Sequence, residues 1–133
     1  MEMVNDRKMA NVRIKRIYSP VENEDGCRIF VDRLWPRGIS KTEARWDLWF
    51  REVAPSPELR KWFGHKPERF ADFRQRYARE LAEDPVRRDK IEQLRELAQQ
   101  GTITLLYAAK DERHNHAAVL RDVVLQGFQP EEE

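Results

Sequence analysis

The stretch that most restricts how this chain can fold is Gly101-Thr-Ile-Thr-Leu-Leu-Tyr107, taken with what stands on either side of it. Residues 102–107 carry no charge and are rich in β-branched, aliphatic and aromatic side chains, which predicts a buried strand. A long helical segment precedes it, and the polar loop Ala-Ala-Lys110-Asp-Glu-Arg-His114-Asn-His116 follows and opens the last helix. A strand reached through a helical crossover can pair parallel with an earlier one, with a right-handed connection as the default. Layering of this Rossmann-like kind puts chemistry in the loops at the strand exits.

The other elements follow from periodicity and punctuation. Val12 and Ile14 alternate with Arg13 and Lys15, so a strand with one wet face fits 11–18. The loop that ends at Asp25-Gly26 is too short for a crossover helix, so the next strand, Arg28-Ile-Phe-Val-Asp-Arg33, is expected to return antiparallel. Its apolar centre implies burial on both faces. Pro36 and Gly38 enforce a turn, the Ser40–Glu43 spacing marks a capping box and a short helical turn at 41–45, and alternation predicts a third strand over 46–52.

Three helices then follow. Ser56-Pro57 opens the first, which buries Leu59, Trp62 and Phe63 and stops at Gly64-His65. The second buries Phe70, Phe73, Tyr77 and Leu81. Asp84-Pro85 starts the third, with Ile91, Leu94, Leu97 and Ala98 inward and Gly101 past its end. The last helix runs to about Gln126, with Ala117, Leu120 and Val124 toward the sheet and Val123 alongside. The expectation is a single α/β domain over 11–127 with a mixed, mostly parallel sheet of about four strands and helices packed on it. Residues 1–10 read as a flexible start and 128–133 as an acidic tail.

The length of 133 residues suits one hydrophobic core rather than two. Charged residues make up 37% of the chain, above the usual ~25%, which implies helices with one wet face. Lys+Arg 25 against Asp+Glu 24 leaves a net charge of +1 and no global case for a nucleic-acid or membrane partner, although a local basic patch stays open. Cys27 is the single cysteine, so no intramolecular disulfide can form. With no apolar leader, and no apolar run near the ~20 residues of a membrane helix, the expectation is a cytoplasmic protein.

Two groups of polar residues stand at strand exits. One is Asp32-Arg33 with Trp35 and Arg37; the other is Lys110, Asp111, His114, Asn115 and His116. If strands 28–33 and 102–107 are parallel neighbours, both groups emerge at one edge, facing the N-terminus of the last helix. Free N–H groups there favour an anion, and Arg33, Arg37 and Lys110 add positive charge. Asp32, Asp111 and one of His114 and His116 are the candidates for moving a proton. Trp35, in a turn between Leu34 and Pro36, offers a ring for stacking on a planar ligand.

Plainer readings stand beside these. Asp32-Arg33 can be a structural ion pair, and Asp111 or Asn115 an N-cap. His114 and His116, two apart on a helix, point in different directions, and no third His or Cys is in sequence reach, so no metal site is assigned. No G-x-G-x-x-G or P-loop occurs, so no nucleotide is implied by motif, and the residues leave the cofactor unknown. Cys27 fits a small buried hydrophobe, Tyr107 a core edge, His65 a surface or capping position, and Trp46, Trp49 and Trp62 the core.

The segments Arg28-Ile-Phe-Val-Asp-Arg-Leu-Trp-Pro-Arg-Gly38, Val53-Ala-Pro-Ser-Pro-Glu-Leu-Arg-Lys-Trp-Phe-Gly64 and Thr104-Leu-Leu-Tyr-Ala-Ala-Lys-Asp-Glu-Arg-His-Asn-His-Ala117 together resemble the YeaO-like branch of domain-of-unknown-function family 488. The likeness extends over roughly residues 11 to 125. It implies a first motif, Asp-x-Arg at a strand end, of which Asp32-Arg33 is a variant. It implies a second, Cys-His-Arg opening a helix, whose place His114-Asn-His116 takes here without a cysteine, so thiol chemistry does not carry over.

Three functions remain in play, and the enzyme, given first, is the preferred reading. One is a small enzyme on a compact anionic substrate carrying phosphate or carboxylate. Another is a non-catalytic binding module for a nucleotide, nucleic acid or protein partner. The last is a stable fold whose polar loop is only caps and ion pairs. The residues leave the oligomeric state open.

Overall fold

The computed structural model describes residues 11–128, so the expectations for 1–10 and for the tail beyond 128 lie outside the described residues. Four strands, β1 (Val12–Arg16), β2 (Cys27–Phe30), β3 (Leu48–Trp49) and β4 (Ile103–Tyr107), form one sheet in the order β1-β4-β2-β3. Every pairing is parallel. The helices are α1 (Pro57–Phe63), α2 (Phe70–Glu83), α3 (Pro85–Gln100) and α4 (His116–Gln126), with short 3-10 turns at Asn23–Asp25, Lys41–Glu43, Arg51–Val53 and Pro67–Arg69.

The expected antiparallel return of the second strand is overturned. β1 and β2 do not pair with each other; β4 lies between them, with Val12 and Cys27 both in register with Ile103. The argument from loop length fails on geometry. Returning along a five-residue strand and across two strand spacings covers about 20 Å, while residues 17–26 extended reach about 33 Å. No helix is needed for that crossing.

The crossing loop is held by charge. The buried Asp25 carboxylate accepts from Lys15 Nζ at 3.0 and 3.1 Å, from the Glu22 N–H at 3.1 Å and from Arg28. Thr104 Oγ1 donates to the Asp25 carbonyl at 2.7 Å. At Gly26, φ is 63°, and a Cβ would stand 2.2 Å from the Thr102 carbonyl oxygen. Only glycine lets the chain pass that close to β4.

The third strand is shorter than the 46–52 expected. As an edge it has one neighbour, pairing only Leu48 and Trp49 with Ile29 and Phe30, and it turns at once into Arg51–Val53. Trp46, Leu48 and Phe50, which alternate with Asp47, Trp49 and Arg51, do not share one face. Trp46 and Trp49 share the face of Phe30, Phe50 joins the opposite core, and Leu48 is exposed.

The helices form where caps and apolar stripes predict them. Ser56, Asp84 and Asn115 accept from Leu59, Arg87 and Ala118 N–H groups, and Pro57 and Pro85 occupy the first helical position of α1 and α3. All four helices bury residues in one cluster with Ile29, Val31, Ile103, Leu105 and Tyr107. The other face, centred on Ile17, Phe30 and Leu106, holds no helical residue among those described and is packed by Ile39, Trp46, Trp49 and Ala108. β4 is buried throughout, as its composition predicts.

Candidate functional site

Because all strands run parallel, the exits of β1, β2 and β4 meet at one edge of the sheet. There a cleft of about 650 Å³ opens, lined also by Arg60 and Phe63 of α1 and by Asn115 and His116 at the start of α4. This is the edge at which open α/β sheets hold ligands.

Of the residues singled out in the sequence, Asp32, Arg33, Trp35, Arg37, Lys110, Asn115 and His116 line this cleft. Asp111 and His114 do not; they pair with each other beside it. Asp111 accepts from the Arg113 and His114 backbone N–H groups, each at 2.9 Å, and its other oxygen stands 2.9 Å from His114 Nδ1. Those backbone donors, with the His114 ring, hold the Asp111 carboxyl down at about 2. The pair shapes the loop that leads into α4, with the His114 ring edge-on to Phe70.

His116 points the other way. Its Nε2 is 3.1 Å from the Val31 carbonyl and 3.3 Å from Asp32 Oδ1, an approach without hydrogen-bond alignment. Both neighbours are acceptors, so Nε2 faces them as a donor. The two histidines therefore diverge. Asp32 Oδ2 accepts from the Ala108 N–H at 3.2 Å, which ties the exit of β2 to that of β4.

Arg33 donates to the Pro55 carbonyl at 3.0 Å, while its Nε is buried without a partner. Arg37 and Lys110 are exposed. Asn115 is a cap: its Oδ1 accepts from Ala118 N–H and its Nδ2 donates to the Asp111 carbonyl, each at 2.9 Å. Trp35 is 40% exposed, as its place in a turn suggested. Cys27 packs against the core, and burial, with Asp47 nearby, pushes its thiol up, away from nucleophilic use. Tyr107 is a core residue.

Several lining residues were not singled out in advance. Arg16 donates to the Ala109 carbonyl at 2.9 Å and the Ala108 carbonyl at 3.2 Å, and so holds the loop after β4. Tyr18 donates to the Arg37 carbonyl at 2.9 Å. Both stand at the exit of β1, which reaches the cleft only because β1 is parallel to β4. Arg60 and His65 arrive from the end of α1. His65 holds a left-handed backbone at φ 58°, a region where histidine is tolerated better than most residues. The Gly64-His65 pair was the one available signal.

Electrostatically the cleft is one-sided. Arg16, Arg33, Arg37, Arg60 and Lys110 line it against the single carboxylate of Asp32. Among the described residues, none of those five cations forms an ion pair with a carboxylate.

A family model described as "Inactive DUF488-N3 subclade" matches residues 11–133. The chain belongs to this family. It is 46% identical to the "Uncharacterized protein YeaO" of Escherichia coli K12 over 112 residues, which is 84% of this chain and 95% of that one. It is 40% identical over 113 residues to the "Uncharacterized protein Rv3073c" of Mycobacterium tuberculosis H37Rv, 85% of this chain and 92% of that one. The YeaO-like resemblance carried by the three motifs is therefore right, and these members of the family share nearly the whole domain. No solved structure gives a significant match. No helix among the described residues is long and apolar enough to cross a membrane.

Proposed function

We propose that this member of the family binds a compact phosphate- or carboxylate-bearing ligand in the cleft between the 32–38 and 110–116 loops, without turning it over. The observation that carries the reading is the convergence of five cations, none in an ion pair among the described residues, on a cleft with one carboxylate. In a chain of net charge +1, that asymmetry is local, so it speaks for a small anion rather than an extended polyanion. Arg33, Arg37 and Lys110 hold the ligand, and the N-terminus of α4 contributes its dipole. Asn115 acts through capping that helix, and Asp111 and His114 through shaping the loop before it. The family's description as inactive, and the missing cysteine ahead of α4, favour binding over catalysis. The lone cysteine suits a reducing, cytoplasmic setting.

Calorimetric titration with inorganic phosphate and with citrate tests this, comparing the native chain with an Arg37→Ser, Lys110→Ser double variant. Both positions are exposed, so the variant keeps its melting temperature. The expected result is saturable binding that weakens about tenfold or more in the variant, since hydrogen bonds to charged groups contribute ~1.5–3 kcal/mol each. Equal binding by both proteins refutes the reading.

A second reading rests on the 3.3 Å approach of His116 to Asp32 inside the cleft, which would serve proton transfer to a bound ligand. A phosphomonoester or ester whose turnover disappears in both Asp32→Asn and His116→Gln would establish it.

A further inference from the structure

We infer that the ligand joins a planar aromatic ring to its anionic group, in the chemical class of nucleoside monophosphates, and that the Trp35 indole is the platform for the ring. The inference rests on the anion-binding reading above and adds what lies beside the anion.

Trp35 stands in the cleft wall at 40% exposure, yet it is held firmly. Its Nε1–H donates to the Ile39 carbonyl. Trp46 meets it with centroids 5.0 Å apart at 66°, and Trp49 at 5.8 Å and 73°. Those two rings pack in turn on Phe30, which is fully buried in β2. The indole is thus locked to the sheet through a chain of aromatic contacts. Neither neighbouring ring lies flat on it, and its exposure in the cleft wall offers ring surface to a planar partner.

Tyr18 repeats the arrangement on the β1 side. It is 43% exposed, its hydroxyl is taken by the Arg37 carbonyl, and the Arg16 guanidinium sits 5.0 Å over its ring. In both residues the polar end is already used by backbone, so what the cleft receives from them is ring. Aromatic faces interleaved with arginines recognise a base and its phosphate together. A cleft of about 650 Å³ is in the range of sites for single small ligands. The cations gather at one pocket of that bounded volume, which suits a mononucleotide better than an extended strand.

The test is calorimetric titration of adenosine 5′-monophosphate, ribose 5-phosphate and a short oligothymidylate against the native chain, Trp35→Leu and Trp35→Phe. Circular dichroism checks that each variant is folded. The expected result is that the nucleotide binds about tenfold or more tightly than ribose 5-phosphate, the scale of one base stacking on an aromatic side chain. That ratio falls toward one in Trp35→Leu and is largely kept in Trp35→Phe, which retains a ring but loses the bond to Ile39. A ratio near one in the native chain, with ribose 5-phosphate still bound, overturns the ring platform and leaves the anion site standing. Loss of the ratio in Trp35→Phe as well overturns stacking in favour of loop positioning through Ile39. Tighter binding of the oligothymidylate, falling steeply with salt, overturns the mononucleotide class. Binding of none of the three overturns both readings.

Discussion

Replacing Asp25 by asparagine isolates one buried charge on which the crossing from β1 to β2 depends. The carboxylate is fully buried, and its partners Lys15 and Arg28 keep only 13% and 6% of their side chains exposed. Asparagine preserves the shape but removes the negative charge, leaving those two cations, with Arg13 at 3.6 Å, facing each other. Removing one member of a buried ion pair costs about 3–5 kcal/mol, and the retained amide oxygen places this change near 3. Against a total stability of roughly 5–15 kcal/mol, the melting temperature should fall by about 10 °C. Urea unfolding should show a lower midpoint with an unchanged slope. Glu22→Gln is the control: Glu22 contacts Lys15 at 2.9 Å but is 53% exposed, so its loss should cost less than about 1 kcal/mol. Burial pushes the Asp25 carboxyl up, but the Glu22 N–H, Lys15 and Arg28 outweigh it and leave it below the ordinary value. The stability it contributes is therefore present above pH ~4 and is lost as the pH falls through its lower folded value, a loss the asparagine variant cannot show. An asparagine variant within about 0.5 kcal/mol of the native chain would refute the idea that charge holds this crossing.

Three further outcomes are expected. Gly26→Ala should destabilise by at least ~2 kcal/mol in urea unfolding, because its Cβ would meet the Thr102 carbonyl oxygen at 2.2 Å and φ is 63°. Asp111→Asn should flatten the acid limb of the stability curve: a carboxyl held at about 2 stabilises the fold above pH ~4 and loses that effect between about 4 and 2, which thermal melts across that range would register. Asn115→Ala should cost about 1 kcal/mol through loss of the α4 cap, and Asn115→Ser should recover most of it in the same assay.

Much of the candidate site was legible before the structure. Asp32 and His116 stand in polar runs directly after an apolar strand and at a helix start, and the exits of β2 and β4 do meet. Arg16 and Tyr18 were missed for a single reason: with β1 assigned an antiparallel neighbour, nothing linked its exit to that edge of the sheet. Arg60 and His65 were hidden because no pattern in α1 says where its end will lie against the sheet. Asp111 and His114 looked equivalent to His116 in sequence. Their separation from the cleft follows from an Asx-type turn, in which the Asp111 carboxylate is taken up by the backbone two and three residues on.

The sequence by itself determined the elements whose causes are local: helices marked by caps and three-four spacing, and a central strand marked by an uncharged run that tolerates water on neither face. It could not determine which strands are neighbours. Parallel pairing joins residues far apart in the chain, and the choice between β1-β2 and β1-β4-β2 turns on a buried carboxylate, a glycine and the packing of four helices on one face, all assembled at once. The cleft is a product of that choice, because only three parallel exits bring Arg16, Arg33 and Lys110 to the same edge.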